Sequence, residues 1–136
     1  DVSIFAAAGA DFRPEAAFDK KVKSGELDGA LTLRLAANPD IAAETRGLRK
    51  AGSVAVGFAL ETHDVLANAR RKLEGKGFQL LVANDATEAG SGFEVDTNRV
   101  TLLDSSGGVE ELPLQPKDEV AEAILDRVAS VLSGAA

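Results

Sequence analysis

Three near-continuous apolar runs constrain this chain most: Val2 to Ala8, Val54 to Leu60 and Phe78 to Ala83. None alternates apolar with polar residues, so each reads as a strand buried on both faces, as in a parallel sheet covered by helices. Between the second and third runs, Val65, Ala69 and Leu73 recur at i, i+4 and i+8. That spacing predicts an amphipathic helix, begun by Thr62 or Asp64 and ended by Gly75 and Gly77. A closing helix is predicted over Lys117 to Leu132, where Val120, Ile124, Val128 and Leu132 lie four apart. Strands alternating with helices give an α/β fold with a largely parallel central sheet. Phe93 to Val95 and Val100 to Leu103 flank Asp96-Thr97-Asn98 and predict an appended antiparallel hairpin. Gly107-Gly108 is a further turn before a short strand over Val109 to Leu114.

Opening a domain directly on a buried strand is unusual, and it predicts that neighbouring strands and an N-terminal segment lie outside this chain. Residues 9 to 28 read as loop, with Pro14, Gly25 and most of the early lysines. Leu31, Leu33 and Leu35 alternate with Thr32 and Arg34, the period of a half-exposed strand. Asn38-Pro39-Asp40 predicts a helix start: Asn38 as N-cap, proline in the first turn, and Asp40 complementing the helix dipole. That helix is expected to reach about Lys50, before Gly52.

At 136 residues the chain is one domain, spanning 1–136. Apolar residues make up 45% and charged residues 27%, an ordinary balance for a globular protein. No stretch is long and apolar enough to span a membrane, and Asp1-Val2-Ser3-Ile4-Phe5 lacks the basic start of a signal peptide. The absence of cysteine excludes disulfides, thiolate metal sites and a cysteine nucleophile. Together these features predict a cytoplasmic protein. A net charge of −7 argues against a nucleic-acid partner. The charge is uneven: 12 Lys/Arg face 11 Asp/Glu through Lys76, and 3 face 11 from Gly77 onward. The basic residues therefore gather in the stretch where strands give way to loops, the place where open α/β sheets bind ligands, and they point to an anionic ligand.

The dinucleotide fingerprint G-x-G-x-x-G and the phosphate loop G-x-x-x-x-G-K-[ST] are both missing. His63 has no second histidine or cysteine for a metal and no serine for a triad, so it reads as an ordinary residue at a helix start. Ser91, Ser105 and Ser106 lack a base partner. The Asn38-Pro39-Asp40-Ile41 junction offers unpaired helix amides to an anion. Lys72 and Lys76 are one helical turn apart on one face. Taken singly they read as a solvated face; taken with the strand end before them, they could overhang the sheet edge. Lys20, Lys21 and Lys23 lie in a loop able to close over a triphosphate.

In order, the chain carries Ala7-Ala8-Gly9-Ala10-Asp11-Phe12-Arg13, Lys21-Val22-Lys23, Asn38-Pro39-Asp40-Ile41, Val56-Gly57-Phe58-Ala59-Leu60-Glu61-Thr62, Lys72 with Lys76, Val82-Ala83-Asn84-Asp85 and Gly92-Phe93-Glu94-Val95-Asp96-Thr97-Asn98. This succession resembles that of phosphopantothenate–cysteine ligases, the CTP-dependent enzymes of coenzyme A biosynthesis, over essentially the whole chain. The resemblance implies a Rossmann-like three-layer domain that forms the C-terminal, CTP-binding part of such a ligase. It also accounts for the abrupt start, since family members carry an upstream segment with a glycine-rich turn and an asparagine that handles the acyl substrate.

What the resemblance implies is specific. The backbone of Phe5, Ala6 and Ala7 is expected at the cytosine edge, and Asp11 at the nucleotide and its Mg²⁺. Lys21 is expected to be the catalytic lysine. Pro39, Asp40, Ile41 and Ala42 would form the phosphate site, with Phe58, Lys72 and Lys76 as further CTP contacts. The family's substrates are CTP, 4′-phosphopantothenate and cysteine. Its members are usually homodimers, and some are fused to a flavin-dependent decarboxylase. Three departures stand out: Gly9 replaces a β-branched residue, Ser24 replaces the last lysine of K-x-K-K, and the upstream segment is missing. A non-catalytic interaction module with the same fold is the alternative, and retention of Lys21, Lys72 and Lys76 argues against it.

Overall fold

The computed structural model describes residues 1–23, 29–88, 91 and 95–134. Its centre is a five-stranded sheet in the order β1, β4, β5, β7, β8, where β1 is Val2–Phe5, β4 Val54–Glu61, β5 Leu80–Asp85, β7 Val100–Asp104 and β8 Val109–Glu111. β1, β4 and β5 run parallel; β7 and β8 form the antiparallel hairpin, turning through residues 105–108. The long helices are α2, Val65–Lys76, and α3, Lys117–Ser133.

Strand alternation sends successive side chains to opposite faces, and the two helices cover one face each. Val54, Val56, Leu80, Val82, Val100 and Leu102 pack against Val120, Ile124 and Val128 of α3. Ala55, Ala59, Leu81, Ala83 and Leu103 pack against Ala69 and Leu73 of α2, together with Phe78. Alanines on the α2 side let that helix lie close to the sheet. At Gly57, whose neighbour across the sheet is Leu81, an added Cβ would run into the ring of Phe78.

The fold corrects the sequence reading in several places. β1 is shorter than the run Val2 to Ala8 and is not buried on both faces: Val2 and Ile4 are exposed. The physical reason is position, because β1 is the sheet's edge and pairs only with β4 among the described residues. Phe58 and Leu60 share the face of Val54 and Val56 by alternation, and they too are exposed. The stretch read as loop contains β2, Phe12–Pro14, which pairs antiparallel with β3, Leu35–Ala37, as a separate ribbon. Leu31 and Leu33 lie outside that strand and are exposed.

The helix expected to run to Lys50 is a single turn, α1, Ile41–Glu44, followed by a 3-10 turn over Arg46–Leu48. Thr45 donates its hydroxyl back to the Ile41 carbonyl, a local alternative that weakens helix continuation. Thr97–Asn98 is not a turn: it forms β6, paired with β9, Gln115–Pro116. Residues 92–94, the start of the expected hairpin, lie outside the described residues, as do Ser24 and Gly25. The closing helix starts where expected and runs one residue further, to Ser133; its first three apolar positions are buried whereas Leu132 is exposed.

The β7–β8 turn is fixed by Asp104, whose side chain is 5% exposed. Its Oδ1 accepts from the backbone and hydroxyl of Ser106 and from the Gly108 N–H, and its Oδ2 accepts from Arg127 of α3 at 2.7 Å. The Ser106 hydroxyl above all, with the Gly108 amide and Arg127, lowers its pKa to about 2. A carboxyl held below its unfolded value stabilises the fold above that value, and the benefit disappears as pH falls from about 4 to about 2. Asp104→Asn should therefore cost about 2 kcal/mol at neutral pH and flatten the acid limb of a urea-denaturation series across that interval. Gly57→Ala should lower stability by about 1–3 kcal/mol through overpacking against Phe78, read as a fall in denaturation midpoint at constant slope.

Candidate functional site

β1 ends at Phe5, opposite Gly57, so β1 and the second half of β4 form one edge of the sheet, and most of the residues singled out in the sequence lie along this rim on the α2 side. The ring of Phe5 faces the α2 side and stacks obliquely on Phe78, centroids 5.6 Å apart. Ala6 and Ala7 follow as exposed backbone. Asp11 lies beyond them with its carboxylate exposed, and its carbonyl accepts from the Asn38 N–H at 2.8 Å.

Asn38 is not the N-cap. Its amide donates to the Ala10 carbonyl at 2.7 Å and its side-chain oxygen accepts from Arg13 at 3.0 Å, so it ties the loop after β1 to the start of α1. Asp40 is the cap: its Oδ1 accepts from the Ala43 N–H at 3.1 Å. Pro39 thus precedes the cap and does not enter the first turn. The Ala43 amide, followed by the Lys76 ammonium, holds the Asp40 carboxyl below its ordinary pKa. Lys76 Nζ lies 3.1 Å from Asp40 Oδ2, and Lys72 Nζ lies 2.6 Å from Oε1 of Glu61 at the end of β4. Neither lysine is a free cation, and each is joined to a carboxylate on the element opposite.

An arginine that the sequence reading passed over assembles this corner. Arg49 donates to the carbonyls of Lys76 and Gly77 at the end of α2, at 3.1 and 2.9 Å, and to the Ala42 carbonyl of α1. Its guanidinium also lies over the rings of Phe5 and Phe78, 5.2 and 5.5 Å from their centroids. Burial lowers its pKa from the usual arginine value. Arg46 reaches the neighbouring carbonyls of Glu74 and Gly75. The β1 end, α1 and the end of α2 are thereby one unit that contains Phe5, Asp40, Ala42 and Lys76. No residue spacing marks Arg49 in advance, since its partners are carbonyls and rings brought close only by folding.

Two predicted residues stand apart. Phe58 projects from the opposite face of β4, by alternation with Gly57, which pairs with Phe5. Its side chain therefore lies on the α3 side of β4, and Lys72 belongs to the helix on the other face. Lys21 is exposed and makes no hydrogen bond or ion pair with the other named residues among those described. No group of three or more His, Asp or Glu side chains comes together for a metal among the described residues. Depressions of about 190 and 280 Å³ lie elsewhere along α2 and include none of the predicted site residues.

The two remaining motifs meet each other. Asn98 donates to Asn84 at 3.3 Å and accepts from Ser91 at 2.5 Å. Asp85 accepts from the backbone and hydroxyl of Thr87, and the hydroxyl contact above all lowers its pKa. His63 sits in the turn before α2 beside Thr62. Among the described residues no helix is long and apolar enough to cross a membrane.

The profile of the DNA/pantothenate metabolism flavoprotein C-terminal domain matches residues 1–132. The chain is 43% identical over 131 residues to the coenzyme A biosynthesis bifunctional protein CoaBC of Bacillus subtilis (strain 168), covering 96% of the chain and 32% of that protein. It is 39% identical over 132 residues to a cysteine/cysteine sulfinic acid decarboxylase of an unknown prokaryotic organism, covering 97% of the chain and 36% of that protein. It superimposes on the crystal structure of the C-terminal domain of a CoaBC with a TM-score of 0.75 and 31% identity, over 98% of the chain and 56% of that structure. The chain thus spans about a third of the length of these curated relatives. A profile match over nearly every residue, joined to the same fold, places this chain in the DNA/pantothenate metabolism flavoprotein C-terminal domain family.

Proposed function

We propose that this chain is the CTP-binding part of a phosphopantothenate–cysteine ligase acting in coenzyme A biosynthesis. The observation that carries the reading is the rim itself: Lys72, Lys76, the α1 start and the exposed backbone after β1 lie along one edge of a chain similar to CoaBC proteins. In this reaction the carboxylate of 4′-phosphopantothenate attacks the α-phosphate of CTP, releasing pyrophosphate and leaving an acyl-cytidylate. The amine of cysteine then attacks the activated carbonyl and expels CMP. Such steps depend on positioning and on neutralising charge.

Each residue has a place in that scheme. Main-chain groups of Phe5, Ala6 and Ala7 read the cytosine edge, where the 4-amino donor replaces the carbonyl of uracil. Lys72 and Lys76 neutralise the triphosphate beside Pro39, Asp40, Ile41 and Ala42, and Phe58 contributes backbone. Lys21 closes from its loop as the catalytic cation. The exposed Asp11 carboxylate suits Mg²⁺, which binds through one or two carboxylates plus phosphate oxygens and waters; when bound, the ion would neutralise the phosphates. Cysteine and 4′-phosphopantothenate are the partner substrates, and the reaction is cytoplasmic. A homodimer is supported by the β2–β3 ribbon, which presents Phe12 and Leu35 to solvent. An accompanying decarboxylase is suggested by the names and greater length of the relatives.

Isothermal titration tests the reading. CTP should bind with Mg²⁺ at least about tenfold more tightly than UTP or ATP, which is about 1.4 kcal/mol. Lys21→Gln should weaken CTP binding with the melting temperature unchanged. Equal binding of all three nucleotides, or none, contradicts the proposal. No nucleotide binding together with a stable protein complex favours the non-catalytic module instead.

A further inference from the structure

Glu61 is an unusual neighbour for a phosphate-binding lysine. It ends β4, and its side chain is 12% exposed, against 41% for Lys72. Its Oε1 is buried and takes no hydrogen bond among the described residues. It lies 2.6 Å from Lys72 Nζ, with which it forms an ion pair. Its Oε2 accepts from Asn68 Nδ2 at 3.2 Å. Asn68, itself 9% exposed, also donates to the His63 carbonyl at 2.9 Å and accepts from Arg71 at 2.9 Å. The carboxylate is therefore fixed from the strand below and from the first turns of α2 above.

A carboxylate this buried is costly without a counter-charge, and burying an ion pair is a poor way to stabilise a fold. The arrangement does hold one end of a long, flexible side chain in place. An ammonium has three donors; one side of Lys72 faces Glu61, and its exposed side remains for a ligand. The Lys76–Asp40 pair differs, since both of its side chains are substantially exposed.

We propose that Glu61 is a positioning residue for the triphosphate: it holds the Lys72 ammonium at the rim before the nucleotide arrives, so the ordering cost of that side chain is met in folding. This rests on the reading of Lys72 as a phosphate contact. Two effects of Glu61 oppose each other, because its charge also repels phosphate. Pre-ordering dominates here because the carboxylate sits behind Lys72, buried, with the ammonium between it and solvent.

A double-mutant cycle decides it, with CTP affinity measured by isothermal titration on the full chain in the presence of Mg²⁺. Glu61→Ala should weaken CTP binding about fivefold and Lys72→Ala about tenfold, and the double variant should be no more than about twofold weaker than Lys72→Ala alone. Losses that multiply show that Glu61 acts through general structure and overturn the proposal. Unchanged or tighter binding in Glu61→Ala overturns it too, by making the carboxylate a mere competitor. Unchanged binding in Lys72→Ala refutes the phosphate role of Lys72 and, with it, the role of Glu61. No binding by the unaltered chain refutes the CTP reading as a whole. If Glu61→Ala loses its native melting transition, Glu61→Gln keeps the side-chain volume and takes its place in the cycle, with the same dependence on Lys72 expected.

Discussion

The guanidinium of Arg49 is the interaction on which the rim depends. It meets carbonyls at the end of α2 and in α1, and it covers the ring of the residue that ends β1. Helix C-termini leave carbonyls without intrahelical partners, and α1, a single turn, has little stability of its own. One planar cation with several donors answers both needs and joins three segments that are distant in sequence. The position of Asp40 relative to Lys76 follows from that joint, as does the path of the backbone leaving β1. Its Nε is buried and has no hydrogen-bond partner among the described residues, a cost set against the bonds that the rest of the group makes.

Charge at this rim is arranged in pairs. Glu61 with Lys72 and Asp40 with Lys76 each set a carboxylate against a lysine of α2, although the basic residues cluster here in sequence. The two pairs differ in depth, and depth sets their physical character. The exposed pair is screened by solvent and can exchange partners easily. The buried carboxylate cannot give up its ammonium without leaving an uncompensated charge, so Lys72 is a fixed element of the site and Lys76 an adjustable one.

The architecture was legible where a pattern is local and repeated. The spacing of Val120, Ile124 and Val128 predicts α3, and the apolar runs predict β4 and β5, because burial on both faces leaves an uninterrupted apolar signature. The same signature at Val2 to Ala8 misleads: an edge strand can be apolar because its cover belongs elsewhere, and composition does not distinguish the cases. The β2–β3 ribbon was hidden by its brevity, and its pairing joins Phe12 to Ala37 across a long separation. At Asn38-Pro39-Asp40 either polar residue can cap; long-range bonds from Asn38 to Ala10 and Arg13 decide in favour of Asp40. The candidate ligand-facing lysines were visible as motif; Glu61 was visible only as a letter of the Val56 to Thr62 string with no role attached, and Arg49 and Asn68 not at all, because supporting residues are defined by partners that only the fold supplies.

In the function proposed, the nucleotide lies on the α2 side of the rim, between the end of β1, the start of α1 and the lysines of α2. Amide chemical shifts of the ¹⁵N-labelled chain, followed during titration with CTP and Mg²⁺, test this most directly. The account predicts saturable shifts at Phe5, Ala6, Ala7, Ile41, Ala42 and Gly57 to Glu61, with the Asp104 to Gly108 turn unmoved. Shifts confined to that turn or to the β2–β3 ribbon, with the rim silent at saturation, would contradict it.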